Sequence, residues 1–366
     1  MYFLTLELIN ACNMTCKYCY LGSKKNKLMT KNTIERSIDI CINEAVKQYD
    51  KKLDVCLIGG EPLMAYDNMV YTVNLTNRKC EEKGISVFYN TIINGTLLNK
   101  EMMDFFIKER FDLKISLDGS ESVHNLNRFY NDGSGSYNDV VDKLDLIRDY
   151  EKATGKKCSV ANVITKNNVD KLKDTIIHIH NLGFKRLESG INIYDDWDTP
   201  YLEILKEQIN LAFDYYITKK MEGDSFYWFF IEKKLRNYFT DVEFYGCRAG
   251  LYSSYINVDG QIYTCKEVEN RDFLIGAEDK GLYPDKIRNL IRKQSIYNEC
   301  MDCSYLSHCS ARGCIIENFE INGDIYKPVQ IKCLETKIVF DMFKNKIGKE
   351  QEESFRKFYE RMNSNV

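Results

Sequence analysis

The chain has 366 residues and a formal net charge of −3, with 29% charged and 44% hydrophobic residues, enough for one large domain plus a small one around a buried core. Lysines are interspersed with acids throughout, so no basic patch offers itself to nucleic acid or an anionic membrane. No apolar run approaches the ~18 residues of a membrane span, and the N-terminus lacks a signal peptide's basic flank, so the expectation is a cytoplasmic protein with neither nucleic acid nor membrane as partner.

Residues 3–9 read as a first strand, followed by Cys12-Asn13-Met14-Thr15-Cys16-Lys17-Tyr18-Cys19-Tyr20. Residues 31–49 have helical spacing, with Ile34, Ile38, Cys41 and Ala45 on one face. A short strand over 55–58 ends in Gly59-Gly60-Glu61-Pro62, and a helix over 66–83 stops at Gly84. Strand 87–93 ends at Asn94-Gly95; another helix precedes strand 113–117, which ends at Asp118-Gly119. Ser136 and Asp139 read as a capping box at a helix start. Strands 158–164 and 186–193 flank a helix over 168–182 closed by Gly183. Six strands alternating with helices imply parallel βαβ units, and the unusual residues fall at strand C-terminal ends, where barrel folds carry their chemistry. Residues 224–245 are crowded with aromatics and read as a helix packed between two domains, with the lining of a peptide groove as the alternative; after Cys333 comes an amphipathic helix with a charged tail.

Cytoplasmic cysteines ligate metal or react more often than they form disulfides. Cys12, Cys16 and Cys19 lie within eight residues and can hold three irons of a cuboidal [4Fe–4S] cluster, leaving the fourth iron open. A second array runs Cys247-x12-Gly260-x4-Cys265, then Cys300-x2-Cys303-x5-Cys309-x4-Cys314, and finally Cys333. Zinc is the alternative occupant of such spacings. Cys41, Cys56, Cys80 and Cys158 fall within helices or strands and are given no chemistry. His178 and His180, two apart on a helix, face different ways.

The first cysteine loop and the glycine turn resemble the radical S-adenosylmethionine (radical SAM) enzymes, and the second array resembles their SPASM domain. The resemblance implies an α/β fold: an open (β/α)6 partial TIM barrel over 1–225, an aromatic-rich bridging segment over 226–246, a SPASM domain over 247–335 and a C-terminal helix over 336–366. It implies that Cys12, Cys16 and Cys19 hold the catalytic cluster, whose open iron binds S-adenosylmethionine. Tyr18 would border the adenine, and Gly59, Gly60 and Glu61 would meet the methionine amine. Asn94, Ser116 (toward ribose or the methionine carboxylate) and Ile193 (on the adenine side) complete that pocket. His124 and Arg128 follow a pattern common in the family after the fourth strand, and are read as ordering a loop, with substrate contact as the alternative. Two auxiliary clusters would make three in all: an outer one on Cys300, Cys303, Cys309 and Cys333, and an inner one on Cys247, Cys265 and Cys314. The spacer before Cys314 is four residues where the family has three, and no eighth cysteine lies between Cys247 and Cys265. The inner cluster is then either open at one iron or held by a non-cysteine ligand such as Ser253 or Tyr255.

By that resemblance the protein is an anaerobic oxidoreductase. A 5′-deoxyadenosyl radical would take hydrogen from a ribosomally synthesised precursor peptide and install a crosslink, with a thioether as the expected product. A reductant such as flavodoxin or ferredoxin would supply electrons. The cluster loop begins at residue 12, so no leader-binding domain is expected ahead of it; the barrel and SPASM domain, or a separate leader-recognition protein, would grip the leader. Two readings compete. An anaerobic sulfatase maturase would carry Asp after the second auxiliary cysteine, where this chain has Lys266. An iron–sulfur electron-transfer protein would have no use for a SAM pocket.

Overall fold

Alternate leucines at Leu4, Leu6 and Leu8 bury one face of the first strand, β1 (Tyr2–Asn10). In the computed structural model, which describes residues 1–22, 24–239, 249–266, 270–290, 297–309, 313–348, 352–353 and 355–357, the chain continues as β2 (Lys27–Leu28), α1 (Lys31–Val46), β3 (Lys52–Gly59), α2 (Tyr66–Lys83), β4 (Ser86–Ile93), α3 (Lys100–Lys108), β5 (Asp112–Ser116), α4 (Glu121–Asn127), α5 (Tyr137–Val141) and α6 (Leu144–Thr154). Next come β6 (Ser159–Ile164), α7 (Leu172–Asn181), β7 (Arg186–Ile191), α8 (Thr199–Met221), β8 (Tyr227–Trp228) and α9 (Phe229–Phe239). The rest comprises β9 (Ser253–Ile256), β10 (Gln261–Tyr263), β11 (Leu274–Ala277), β12 (Gly281–Leu282), α10 (Pro284–Leu290), α11 (Asn298–Met301), α12 (Ile315–Asn322) and α13 (Gln330–Lys346). Cys247, and Phe244 and Tyr245 of the aromatic segment, lie outside the described residues.

The chain forms two compact units. The first contains Met1–Leu117, His124–Val160 and Arg248–Arg292. Within it β1 pairs in parallel with β3 on one edge and with β9 on the other, and β3–β4 and β4–β5 are parallel too. Strands β9 to β12 form an antiparallel ladder. Strands from the cysteine-rich half of the chain thus extend the sheet begun by β1. One sheet face is sealed: Leu53, Val55 and Leu57 are fully buried, as are Ile34, Ile38, Cys41 and Ala45 of α1, which packs on β1 and β3. The register puts Tyr255, Thr5, Cys56 and Asn90 side by side on the other face. There Thr5, Cys56, Asn90 and Lys114 are only half-buried.

The second unit contains Asp118–Val123, Ala161–Cys247 and Lys293–Val366. Its strands run in the order β6-β7-β8, with β7 and β8 parallel. Trp228 is fully buried and donates from its indole N–H to Ser189 Oγ at 2.9 Å. Helix α9 packs on α13, where Lys234 forms a buried ion pair with Glu335.

Several local expectations change. Ser136 makes no helix cap: its buried hydroxyl donates to the Arg128 carbonyl at 3.2 Å and lies 3.0 Å from His124 Nε2, while the Asp139 carboxylate accepts from the Tyr130 hydroxyl at 2.6 Å. Tertiary partners outcompete the local box. The helix expected from residue 168 opens as a 3-10 turn, Val169–Lys171, before α7. The aromatic segment is a two-residue strand followed by a helix, and α13 starts early enough to carry Cys333 itself. Among the described residues no helix is long and apolar enough to cross a membrane.

Candidate functional site

The loop bearing Cys12, Cys16 and Cys19 leaves the C-terminal end of β1 and is pinned from two sides. On one side Gly60 N–H donates to the Ile9 carbonyl and Glu61 N–H to the Ala11 carbonyl, both at 2.9 Å. A Cβ on Gly59 would meet Ile9 O at 2.5 Å, and one on Gly60 would meet Ala11 O at 2.2 Å. These positions need glycine because two backbones touch there. On the other side Thr15 N–H donates to the Phe129 carbonyl (2.9 Å) and Lys17 N–H to the Asn127 carbonyl (3.0 Å), and Met14 bridges Tyr130. The Lys24 ammonium donates to the Met14 carbonyl. Arg128 places its guanidinium 5.2 Å from the Tyr18 ring centroid, and His124 is fully buried against Ser136. Arg128 thus packs against the cysteine loop, whereas His124 bonds to Ser136 within its own segment.

Glu61 is 1% exposed. One carboxylate oxygen accepts from Leu63 N–H (3.0 Å) and the other from Asn94 N–H (2.7 Å), so the side chain ties the ends of β3 and β4 together. Burial pushes its pKa up to about 7, against those two bonds. Ser116 is buried at the end of β5 in the same unit. Ile193 lies half-buried in the second unit, just after β7, beside Asn192, whose N–H donates to the Ile164 carbonyl at 2.8 Å. The Cys12 sulfur accepts from Met14 N–H at 3.4 Å, and burial pushes its thiol pKa up.

These residues fit an iron–sulfur group. Cys12, Cys16 and Cys19 form no disulfide and are half-exposed on one pinned loop, with Cys19 N–H closing a turn onto the Cys16 carbonyl at 3.1 Å. No set of three or more His, Cys, Asp or Glu side chains among the described residues is spaced for a single metal ion. A cuboidal cluster gives each thiolate its own iron and takes a wider set.

The second array falls in both units. In the second, Cys300, Cys303 and Cys333 line a cavity of about 850 Å³ together with Tyr297, Tyr305 and Lys337. Burial raises the Cys333 thiol pKa, and so do the nearby thiols of Cys309, Cys300 and Cys303. Four sulfurs are therefore gathered on α11, α13 and the turn between Cys303 and Cys309. Cys314 caps α12, its sulfur accepting from Glu317 N–H at 3.4 Å. In the first unit, half-buried Cys265 follows β10. Of the two non-cysteine candidates there, Ser253 Oγ accepts from Gly250 N–H at 3.2 Å, while Tyr255 is 1% exposed and packs with Tyr263 and Ile58. Lys266 rests its ammonium 5.3 Å from the Tyr20 ring centroid. Burial pushes the Cys56 thiol pKa up to about 11, while Lys266 and Lys114 act the other way.

The Radical SAM superfamily model matches residues 6–179, spanning the cysteine loop and the glycine turn. Residues 6–179 are a radical SAM domain. Over 331 residues the chain is 22% identical to the radical SAM cyclopropyl synthase TigE of Paramaledivibacter caminithermalis, covering 83% of this chain and 66% of that protein. Over 329 residues it is 22% identical to a cysteine-type anaerobic sulfatase-maturating enzyme of Clostridium perfringens, covering 83% and 86%. The chain spans 66% or less of the length of the first curated relatives it matches. Among solved structures, native anSMEcpe with bound AdoMet and Cp18Cys peptide superposes with a TM-score of 0.79 at 17% identity, covering 98% of this chain and 99% of that one. Streptococcus suis SuiB bound to precursor peptide SuiA gives a TM-score of 0.61 at 18% identity, covering 91% and 75%. The α/β open-barrel fold expected from the sequence is the fold of these structures. Residues 6–179 are thus similar to enzymes of the Radical SAM superfamily, among them proteins named as sulfatase maturases and a cyclopropyl synthase, and that family works with a [4Fe–4S] cluster and S-adenosylmethionine.

Sequence reasoning missed Asn13 and Thr96, which bond to Asn94, and the row of Thr5, Cys56 and Asn90. Strand alternation could have found the row; side-chain bonds between distant loops leave no periodic signal.

Proposed function

We propose that the protein is a peptide maturase that crosslinks a ribosomally synthesised precursor, forming a thioether between a peptide cysteine and a carbon that loses hydrogen. With its cluster and S-adenosylmethionine bound, such a site supplies hydrogen-atom abstraction from an unactivated C–H bond. Cys12, Cys16 and Cys19 hold the cluster, and Gly59, Gly60 and Glu61 shape the turn beside it. Arg128 keeps the Tyr18 ring in place as one wall, and Ser116 is a further contact to S-adenosylmethionine. Thr5, Cys56, Asn90 and Lys114 form the half-buried sheet face over which a substrate residue would lie.

Cys300, Cys303, Cys309 and Cys333 hold an outer auxiliary cluster, and the resemblance to SPASM domains gives Cys247, Cys265 and Cys314 to an inner one. Seven cysteines for eight places leave a soft site for a peptide thiol. Closing the C–S bond would send one hydrogen atom from carbon to the 5′-deoxyadenosyl radical, a proton from sulfur to solvent and the remaining electron to the auxiliary cluster; a reductant of the flavodoxin or ferredoxin kind would supply the electron that cleaves S-adenosylmethionine. Peptides bound in the SuiB and anSMEcpe structures support a peptide substrate.

The observation that carries this reading over its rival is Lys266. An ammonium lies over Tyr20, at the position where formylglycine formation would call for a carboxylate base. The rival reading, a sulfatase maturase, is favoured by the whole-length likeness to anSMEcpe and by the Clostridium perfringens relative. One experiment separates them: the mass of the product peptide before and after thiol alkylation, with a hydrazide probe for carbonyls. A product lighter by two hydrogens whose crosslinked cysteine resists alkylation supports the thioether. A hydrazide-reactive product supports formylglycine, and a product whose cysteines all alkylate rules the thioether out.

A further inference from the structure

We propose that Asn94 is a positioning residue for the Cys12 sulfur, and that its side-chain N–H raises the reduction potential of the cluster held by the cysteine loop. The inference rests on the reading that this loop carries a cluster; it concerns a role for Asn94 other than contact with S-adenosylmethionine.

Three side chains close a ring of hydrogen bonds running head to tail. Asn94 Nδ2 donates to Asn13 Oδ1 at 2.8 Å, Asn13 Nδ2 donates to Thr96 Oγ1 at 2.9 Å, and Thr96 Oγ1 donates to Asn94 Oδ1 at 2.8 Å. The orientation of the Asn94 amide is decided by the backbone: Thr96 N–H also donates to Asn94 Oδ1, at 3.0 Å, so the oxygen must face Thr96 and the nitrogen must face the cysteine loop. The second hydrogen of Asn94 Nδ2 then falls toward Cys12 Sγ, 3.9 Å away.

An asparagine side chain has two donor hydrogens and two acceptor lone pairs. All four are used here, so the side chain has no capacity left for a ligand. Its main-chain N–H is engaged as well, by the buried Glu61 carboxylate at 2.7 Å. Asn94 is 8% exposed and locked between the end of β4 and the cysteine loop. What it can still act on is the sulfur. Hydrogen bonds to the sulfurs are one of the protein's means of setting a cluster's potential, because a donor stabilises the more negative, reduced form. Met14 N–H and Asn94 Nδ2–H approach the same sulfur at 3.4 and 3.9 Å, one from the loop itself and one from the neighbouring strand end.

The test is an EPR-monitored redox titration of the reconstituted full-length protein. The loop's cluster is identified as the one whose signal changes when S-adenosylmethionine is added. Asn94→Ala should shift its midpoint to lower potential. Asn94→Asp, which puts a carboxylate oxygen where the donor was, should shift it further. Thr96→Ser, which keeps the hydroxyl in the ring, should leave it unchanged. If Asn94→Ala fails to take up iron, Thr96→Val, which opens the ring and frees the amide to turn, should still lower the midpoint. An unchanged midpoint in loaded Asn94→Ala or Asn94→Asp overturns the proposal, and a loss of S-adenosylmethionine affinity at unchanged midpoint returns Asn94 to the cofactor pocket. If no signal of the native protein responds to S-adenosylmethionine, the cluster reading fails and this inference fails with it.

Discussion

The residue that follows Cys265 rests on the residue that follows Cys19: the Lys266 ammonium lies 5.3 Å from the centre of the Tyr20 ring. The contact joins the residue after Cys265 of the second cysteine array to the first cysteine loop within one unit. It also puts a fixed positive charge on the side of the sheet that carries Cys56.

Lys266→Ala should therefore be mild for the first half-reaction. A cation–π contact at a partly exposed site contributes about 0.5–1 kcal/mol. Formation of 5′-deoxyadenosine from S-adenosylmethionine and reductant should persist, with a fall of a few degrees at most in Tm. Complete loss of 5′-deoxyadenosine in a folded, iron-loaded variant would make Lys266 part of the chemistry.

Replacing Cys12, Cys16 and Cys19 together by Ala tests the division of the cysteines. Three four-iron clusters correspond to about twelve irons per chain, and the triple variant should keep about eight. Iron and sulfide assays read this directly, and the variant should form no 5′-deoxyadenosine. A triple variant that still forms it would break the assignment.

Glu61 should give a pH-dependent stability. Its folded pKa of about 7 lies above the usual carboxylate value because burial disfavours the charge. The folded state holds the proton over a range where the unfolded chain has lost it, so stability is greatest below about pH 4.5 and declines as pH rises toward 7. The decline from this one group amounts to roughly 3 kcal/mol. Denaturant unfolding at several pH values should show that slope in the native protein and not in Glu61→Gln. Glu61→Ala leaves Leu63 and Asn94 N–H without acceptors, at a cost of about 1–3 kcal/mol each, and should weaken S-adenosylmethionine binding without removing iron.

The Lys234–Glu335 pair joins α9 to the helix that bears Cys333. Glu335→Ala strands a buried ammonium and should cost about 3–5 kcal/mol. The double change Lys234→Met with Glu335→Leu should restore most of that loss, because no charge is left to desolvate. Chemical denaturation of the three proteins reads the difference; equal destabilisation by single and double variants would mean that packing, not charge, holds the two helices.

Much of the first unit is legible in the chain because local rules and tertiary demands agree there. Leucines alternate in β1, Ile34, Ile38, Cys41 and Ala45 recur at helical spacing in α1, and Gly84 ends α2 at φ 64°. The capping box at Ser136 fails for the opposite reason. Its hydroxyl finds partners at His124 and Arg128, twelve and eight residues back, that outweigh a bond to its own helix.

The candidate site divides in the same way. Cysteine spacing and the Gly59-Gly60-Glu61-Pro62 turn are covalent, local facts, so the amino-acid sequence by itself determined the class of chemistry and the α/β fold. Folding decided what each residue touches. Gly60 is held against Ala11, Glu61 grips the ends of two strands, the Asn94 side chain is spent on Asn13 and Thr96, and β9 returns from the far half of the chain to pair with β1. Each of these joins residues dozens to hundreds of positions apart or consumes a side chain's last hydrogen bond. Such pairings leave no period in the sequence, and only packing in three dimensions selects among them.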